Sequence, residues 1–124
     1  GRALLLLFLF SDVSENDAPT RIRVGYHLDV AKLLAQAGDE GLSFTELAAE
    51  IPALPERPEI TATGKAGTVY LCHPFIVHAA QDHYGDQPKF MAQPALLSKQ
   101  KFDNAPFGKD KSPVILAILK GLQG

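Results

Sequence analysis

Residues 3–10 read ALLLLFLF, and the fold turns on what this run is. Eight apolar residues fall far short of the roughly 20 needed to span a bilayer as a helix. The run enters Ser11-Asp12 and a polar turn with no small-residue cleavage site, so it does not read as a secretory signal. A short continuous apolar stretch bounded by turn residues fits a strand covered on both faces. The run therefore reads as a central core strand. The chain opens Gly1-Arg2 and its one methionine is Met91, so the native protein is expected to begin further upstream, with pairing partners of this strand lost.

Working outward, residues 11–19 form a polar connection, and Arg21-Ile22-Arg23-Val24 alternates as a half-buried strand does. Arg21 and Arg23 share the face expected to meet solvent. Val30, Leu33, Leu34 and Ala37 then recur at helical spacing, with Asp29 expected as N-cap and Gly38 as stop. Ser43 and Glu46 make a capping box for a second helix whose apolar face is Phe44, Leu47, Ala48 and Ile51. Prolines 52, 55 and 58 predict a loop.

Further strands are expected at residues 60–63, 68–72, 75–78 and 89–92, the last two placed to pair as a hairpin around the turn at 81–88. Beyond Pro94 the pattern reads as mixed-charge loop up to Lys111. Ser112 and Pro113 then open a last helix, apolar nearly all round. Strands and helices do not alternate regularly. The pattern favours a mainly β fold with peripheral helices, a jelly-roll or barrel-like core, over a βαβ sheet. The 124 residues are expected to form a single domain.

Composition narrows the function. A net charge of −2 offers no basic footprint for nucleic acid or anionic lipid. The lone Cys72 cannot bridge internally and reads as a buried inert thiol, and the default setting is cytoplasmic. The expected partner is a small-molecule substrate, with no nucleic acid and no membrane. A homo-oligomer could replace missing core.

Three of the four histidines lie within residues 73–83. His78 sits in an apolar segment, where an imidazole needs a hydrogen bond or a metal, and the residues alone leave both readings open. His73 and His78 make no hydrolytic metal motif, and His83 reads as solvated. The stretch GYHLD at 25–29 places His27 and Asp29 at the His-x-Asp spacing of iron oxygenases, but Asp29 as a helix cap would be poorly free to reach a metal.

The run GTVYLCHPFIVHAAQDHYGDQPKFMAQPAL at 67–96 resembles the C-terminal half of the phytanoyl-CoA dioxygenase family of Fe(II)- and 2-oxoglutarate-dependent oxygenases. The APTRIRVG strand and the SPV helix start are also similar to members. The resemblance implies a double-stranded β-helix (jelly-roll) core, incomplete at its N-terminus, with Fe(II) and 2-oxoglutarate as cofactors. It makes His78 the distal iron-binding histidine. Lys89 falls where the family carries an arginine for the far carboxylate of 2-oxoglutarate, so a point charge replaces a two-pronged fork. Gly25-Tyr26-His27 is similar to a triplet that follows the core strand in the family, whose His-x-Asp pair lies upstream of that strand. His27 and Asp29 thus remain alternative ligands only. Asp82 takes no role. The expectation is a dioxygenase-like protein lacking its upstream ligands, and the alternative is a non-catalytic jelly-roll binding module or an inactive remnant.

Overall fold

A computed structural model describes residues 2–99 and 112–124. Strand β1 (Arg2–Leu9) is the hub of the first sheet. On one edge it pairs antiparallel with β4 (Val69–Cys72), Leu6 facing Leu71 and Phe8 facing Val69. β6 (Met91–Ala92) and β7 (Ala95–Leu97) pair with successive parts of β1. Because Phe8 pairs with both Val69 and Ala92, and Leu5 with both Cys72 and Ala95, β6 and β7 lie on the edge away from β4.

The second sheet places β2 (Arg21–Arg23) between β3 (Glu59–Thr61) and β5 (Val77–Ala79), again antiparallel. Leu5, Leu7 and Leu9 project from one face of β1 and are almost wholly buried, as period-2 alternation requires. Leu7 meets Ile22 of β2 and Ala62, with Tyr70, Cys72, Ile76 and Met91 packed around them. The core therefore lies between the two sheets. Among the described residues the fold holds two antiparallel sheets, not closed into a barrel, together with three helices.

The helices are α1 (Tyr26–Gln36), α2 (Phe44–Glu50) and α3 (Pro113–Gln123). α2 carries both bonds of its capping box: Glu46 N–H donates to Ser43 Oγ, and Ser43 N–H donates to the Glu46 carboxylate. α3 starts on Ser112 with Pro113 in its first turn, and buries Ile115, Ile118 and Gly121. It packs on α1, where Ala31 joins Ile115 and Ile118 in a second apolar cluster.

Four expectations change. α1 begins at Tyr26, three residues before the expected cap, on Gly25 in the left-handed region (φ 89°), and Asp29 lies inside the helix. Gly25 fits because its backbone needs positive φ and a Cβ there would lie 3.1 Å from Arg57 Nη1. The segments expected as a hairpin belong to different sheets, β5 to the second and β6 to the first. Pro52 sits inside a short 3-10 turn, Ile51–Ala53, rather than in irregular loop. β7 occupies part of the stretch read as loop, whose residues 100–111 lie outside the described residues. Among the described residues no helix is long and apolar enough to cross a membrane.

Candidate functional site

β5 positions His78. Its backbone partner across the ladder is Ile22, a core residue, and directly opposed residues project to the same side of a sheet. His78 therefore stands on the inner face of the second sheet. It is exposed all the same, and lines a cleft of about 460 Å³. Phe44 and Leu47 of α2 and Ile51 just after it wall this cleft, together with residues 74–77 and Val30 of α1. Arg2 and Gln93 are further polar members of the lining. The apolar stripe of α2 thus faces a cavity instead of a packed core, and α2 buries no residue fully.

The His78 ring brings Nδ1 to 3.2 Å from the carbonyl oxygen of Ile76. With the proton on Nδ1 and donated to that carbonyl, Nε2 presents a bare lone pair, the arrangement by which a histidine is oriented toward a metal.

Lys89 lies just before β6, and residues 89, 91 and 93 share the face that turns Met91 into the core. The half-buried Lys89 ammonium donates to the carbonyl oxygen of Ala18. Gln81 Nε2 donates to the neighbouring carbonyl of Pro19 at 2.6 Å, and buried Thr20 offers its hydroxyl to the Met91 sulfur. Residues 18–22 are thereby tied at one end to Lys89 and paired at the other, through Ile22, with His78. Lys89 does not line the cleft that His78 lines.

His27 and Asp29 are placed elsewhere. The Asp29 carboxylate is buried and takes two bonds from Arg57, Nε to Oδ2 at 2.5 Å and Nη2 to Oδ1 at 3.0 Å. This fork occupies both oxygens, and the partnership raises the Arg57 pKa further above its usual value. His27 lines a separate cavity of about 690 Å³ between β4, α1 and α3. Its ring lies 5.0 Å from that of His73, centroid to centroid, and its buried Nδ1 has no hydrogen-bond partner. His73 has both nitrogens committed: Nδ1 accepts from Phe75 N–H at 3.1 Å, and Nε2 donates to the Val114 carbonyl at 3.2 Å.

Both pKa values fall below the ordinary histidine range. Burial is the main cause for each; His73 and Arg57 press His27 further down, and the Val114 carbonyl partly offsets the fall at His73. Burial likewise raises the Cys72 thiol, as expected of an inert cysteine. His83 is held by Gly85 N–H and lies 3.9 Å from Asp17.

Of the two cavities described, His27 lines one and His78 the other, and Asp29 lines neither. Among the described residues no three His, Cys, Asp or Glu side chains are grouped so as to hold a metal ion. No family model, curated protein or solved structure matches the chain. Reading the sequence did not single out Arg57, Gln81 or Gln93. Arg57 lies between prolines in a segment read only as loop, and no local signal joins it to Asp29.

Proposed function

We propose that the chain forms part of a jelly-roll oxygenase of the Fe(II)- and 2-oxoglutarate-dependent type, acting on a small organic molecule. The observation that carries this reading is His78 on the inner face of a sheet, its Nδ1 against a carbonyl and its Nε2 free, lining an apolar cleft. Connectivity supports the jelly roll. The chain crosses from the first sheet to the second after β1, pairs β2 with β3, returns for β4, crosses for β5 and returns for β6. Such alternation winds two facing antiparallel sheets from one chain.

The described residues do not complete an iron centre: His78 is one ligand, and two more are needed for the facial triad such oxygenases use. Lys89 uses its ammonium on Ala18, and could add one carboxylate contact as a point charge, more weakly than a two-pronged arginine. The α2 wall would shield a bound substrate from water.

A second reading, a non-catalytic jelly-roll binding module, draws on the same absence of a ligand group and on the engagement of Lys89 with the backbone. Manganese(II) titration of the ¹⁵N-labelled chain separates the two. On the oxygenase reading, paramagnetic broadening centres on His78, Val77 and Ile22 and disappears in His78→Ala. Added 2-oxoglutarate then shifts resonances around Lys89 and Ala18, and fails to do so in Lys89→Ala. Broadening centred on His27 or His83, or none at all, removes the oxygenase reading and leaves the module.

A further inference from the structure

The outer face of the first sheet is apolar from edge to edge. The register puts Leu71 and Val69 of β4 on this face with Phe8 of β1, and Leu96 of β7 follows through its pairing with Leu4. Phe10 extends the row, its ring stacked 6.4 Å from that of Phe8, and Phe90 sits beside it, since Phe10 N–H donates to the Phe90 carbonyl. Leu71 is 70% exposed, Phe10 65% and Phe90 60%. Between Leu4 and Phe10, none of the positions that the register assigns to this face carries a charge.

From this we infer that the outer face of the first sheet is the interface of a homodimer, with a second copy of this chain packed on it face to face. The exposed apolar area is on the order of 500 Å², at the top of what a monomer ordinarily leaves open in one patch. Two such faces in contact remove on the order of 1,000 Å², the lower bound of a specific interface. A twofold axis brings the same patch to itself, and an uncharged patch meets its copy with no like-charge penalty. Antiparallel sheets pack in this way in sandwiches, their side chains interdigitating. Leu4 and Leu71 also line the cavity that α3 walls, and Leu6 between them is buried, so the exposed part of the face runs from Leu71 through Val69 to Phe10 and Phe90. An anionic membrane is disfavoured by the net charge of −2.

Sedimentation velocity on the full chain tests this across about 1 to 500 µM, the range in which an interface at the lower size bound associates. The expected result is a monomer–dimer equilibrium, with Kd raised at least about tenfold by Leu71→Asp and by Phe10→Ser, and unchanged by Phe44→Ser on the α2 face. Circular dichroism checks that each variant is folded. Should Leu71→Asp fail to fold, Phe10→Ser decides, because Phe10 lies just beyond β1 and is largely exposed. A monomer at every concentration overturns the inference, as does a dimer indifferent to both sheet substitutions or one weakened only by Phe44→Ser.

Discussion

Asp29 shows how a single side chain acquires its role from a distant one. Alone in its helix turn it resembles a cap or a ligand; with Arg57 it is one half of a buried fork. Removing one partner of a buried pair strands the other, though Arg57 keeps part of its side chain in water, which softens the penalty. Asp29→Ala is expected to cost about 2 kcal/mol, read as a lowered urea midpoint. The double variant with Arg57→Ala should cost less than the two single losses added together; simple additivity would mean that the pair is not coupled. The neighbouring His27 gives a pH dependence. A histidine whose folded pKa lies below its unfolded value binds fewer protons when folded, so stability rises with pH across that interval. His27 and His73 both have this sign, their contribution being complete above the ordinary value of 6.5 and lost as pH falls through the lowered folded values. Around His27 the cationic Arg57 and Lys120 oppose its protonation and Asp29 favours it, with burial the largest influence. The urea midpoint should therefore fall between about pH 7 and pH 5, and His27→Leu, which leaves no proton partner wanting because Nδ1 has none, should flatten that slope. An unchanged slope in His27→Leu would assign the acid sensitivity elsewhere.

At the scale of elements, the α1–α3 contact depends on one missing side chain. A Cβ on Gly121 would lie 2.7 Å from the Leu28 carbonyl oxygen and 3.1 Å from its Cα, both backbone atoms of α1 that cannot swing aside. Gly121→Ala should force the helices apart and cost about 1–3 kcal/mol, despite alanine's higher helix propensity. A gain in thermal stability would show instead that α3 can slide. Elements with strong local codes were legible from sequence: the unbroken apolar run of β1, the Ser43–Glu46 capping box, and the Ser112-Pro113 helix start. Those set by remote partners were not. α1 starts on Gly25 because its left-handed backbone lies beneath Arg57, 32 positions along the chain, and no capping side chain marks the place. β5 and β6 are neighbours in sequence with a turn between them, yet turn chemistry does not say which sheet receives each strand. Burial decides that, His78 pairing with Ile22 and Met91 with Leu9. β7 is three exposed residues after a proline, too short for alternation to register. For the same reason His78 could be singled out from its apolar segment, whereas the contact of His27 with His73, made across 46 positions, could not.

For the molecule as a whole, the question is whether the two sheets fold as one body. They meet chiefly through Leu7 of β1, Ile22 of β2 and Ala62, a small cluster for a chain of this length. Leu7 is completely buried, so Leu7→Ala removes the transfer free energy of its methyl groups and leaves a void, about 2–5 kcal/mol together. Against a domain stability of about 5–15 kcal/mol that is a large share. Past the strand ends, Gly64 and Val13 bond each other in both directions, and Ala62 N–H donates to the Thr20 carbonyl, which extends the β2–β3 ladder of the second sheet. The shared core ties opening of one sheet to opening of the other. Hydrogen exchange on Leu7→Ala should therefore show protection falling by similar factors in β1 and β4 of the first sheet and in β2 and β5 of the second. Loss confined to the first sheet would mean that the second is a separate cooperative unit, held by its own ladder and by the Arg23–Glu59 ion pair at its edge. In that event the cleft beside His78, whose lining draws on Arg2 and Gln93 from the first sheet as well as on β5, would open without global unfolding.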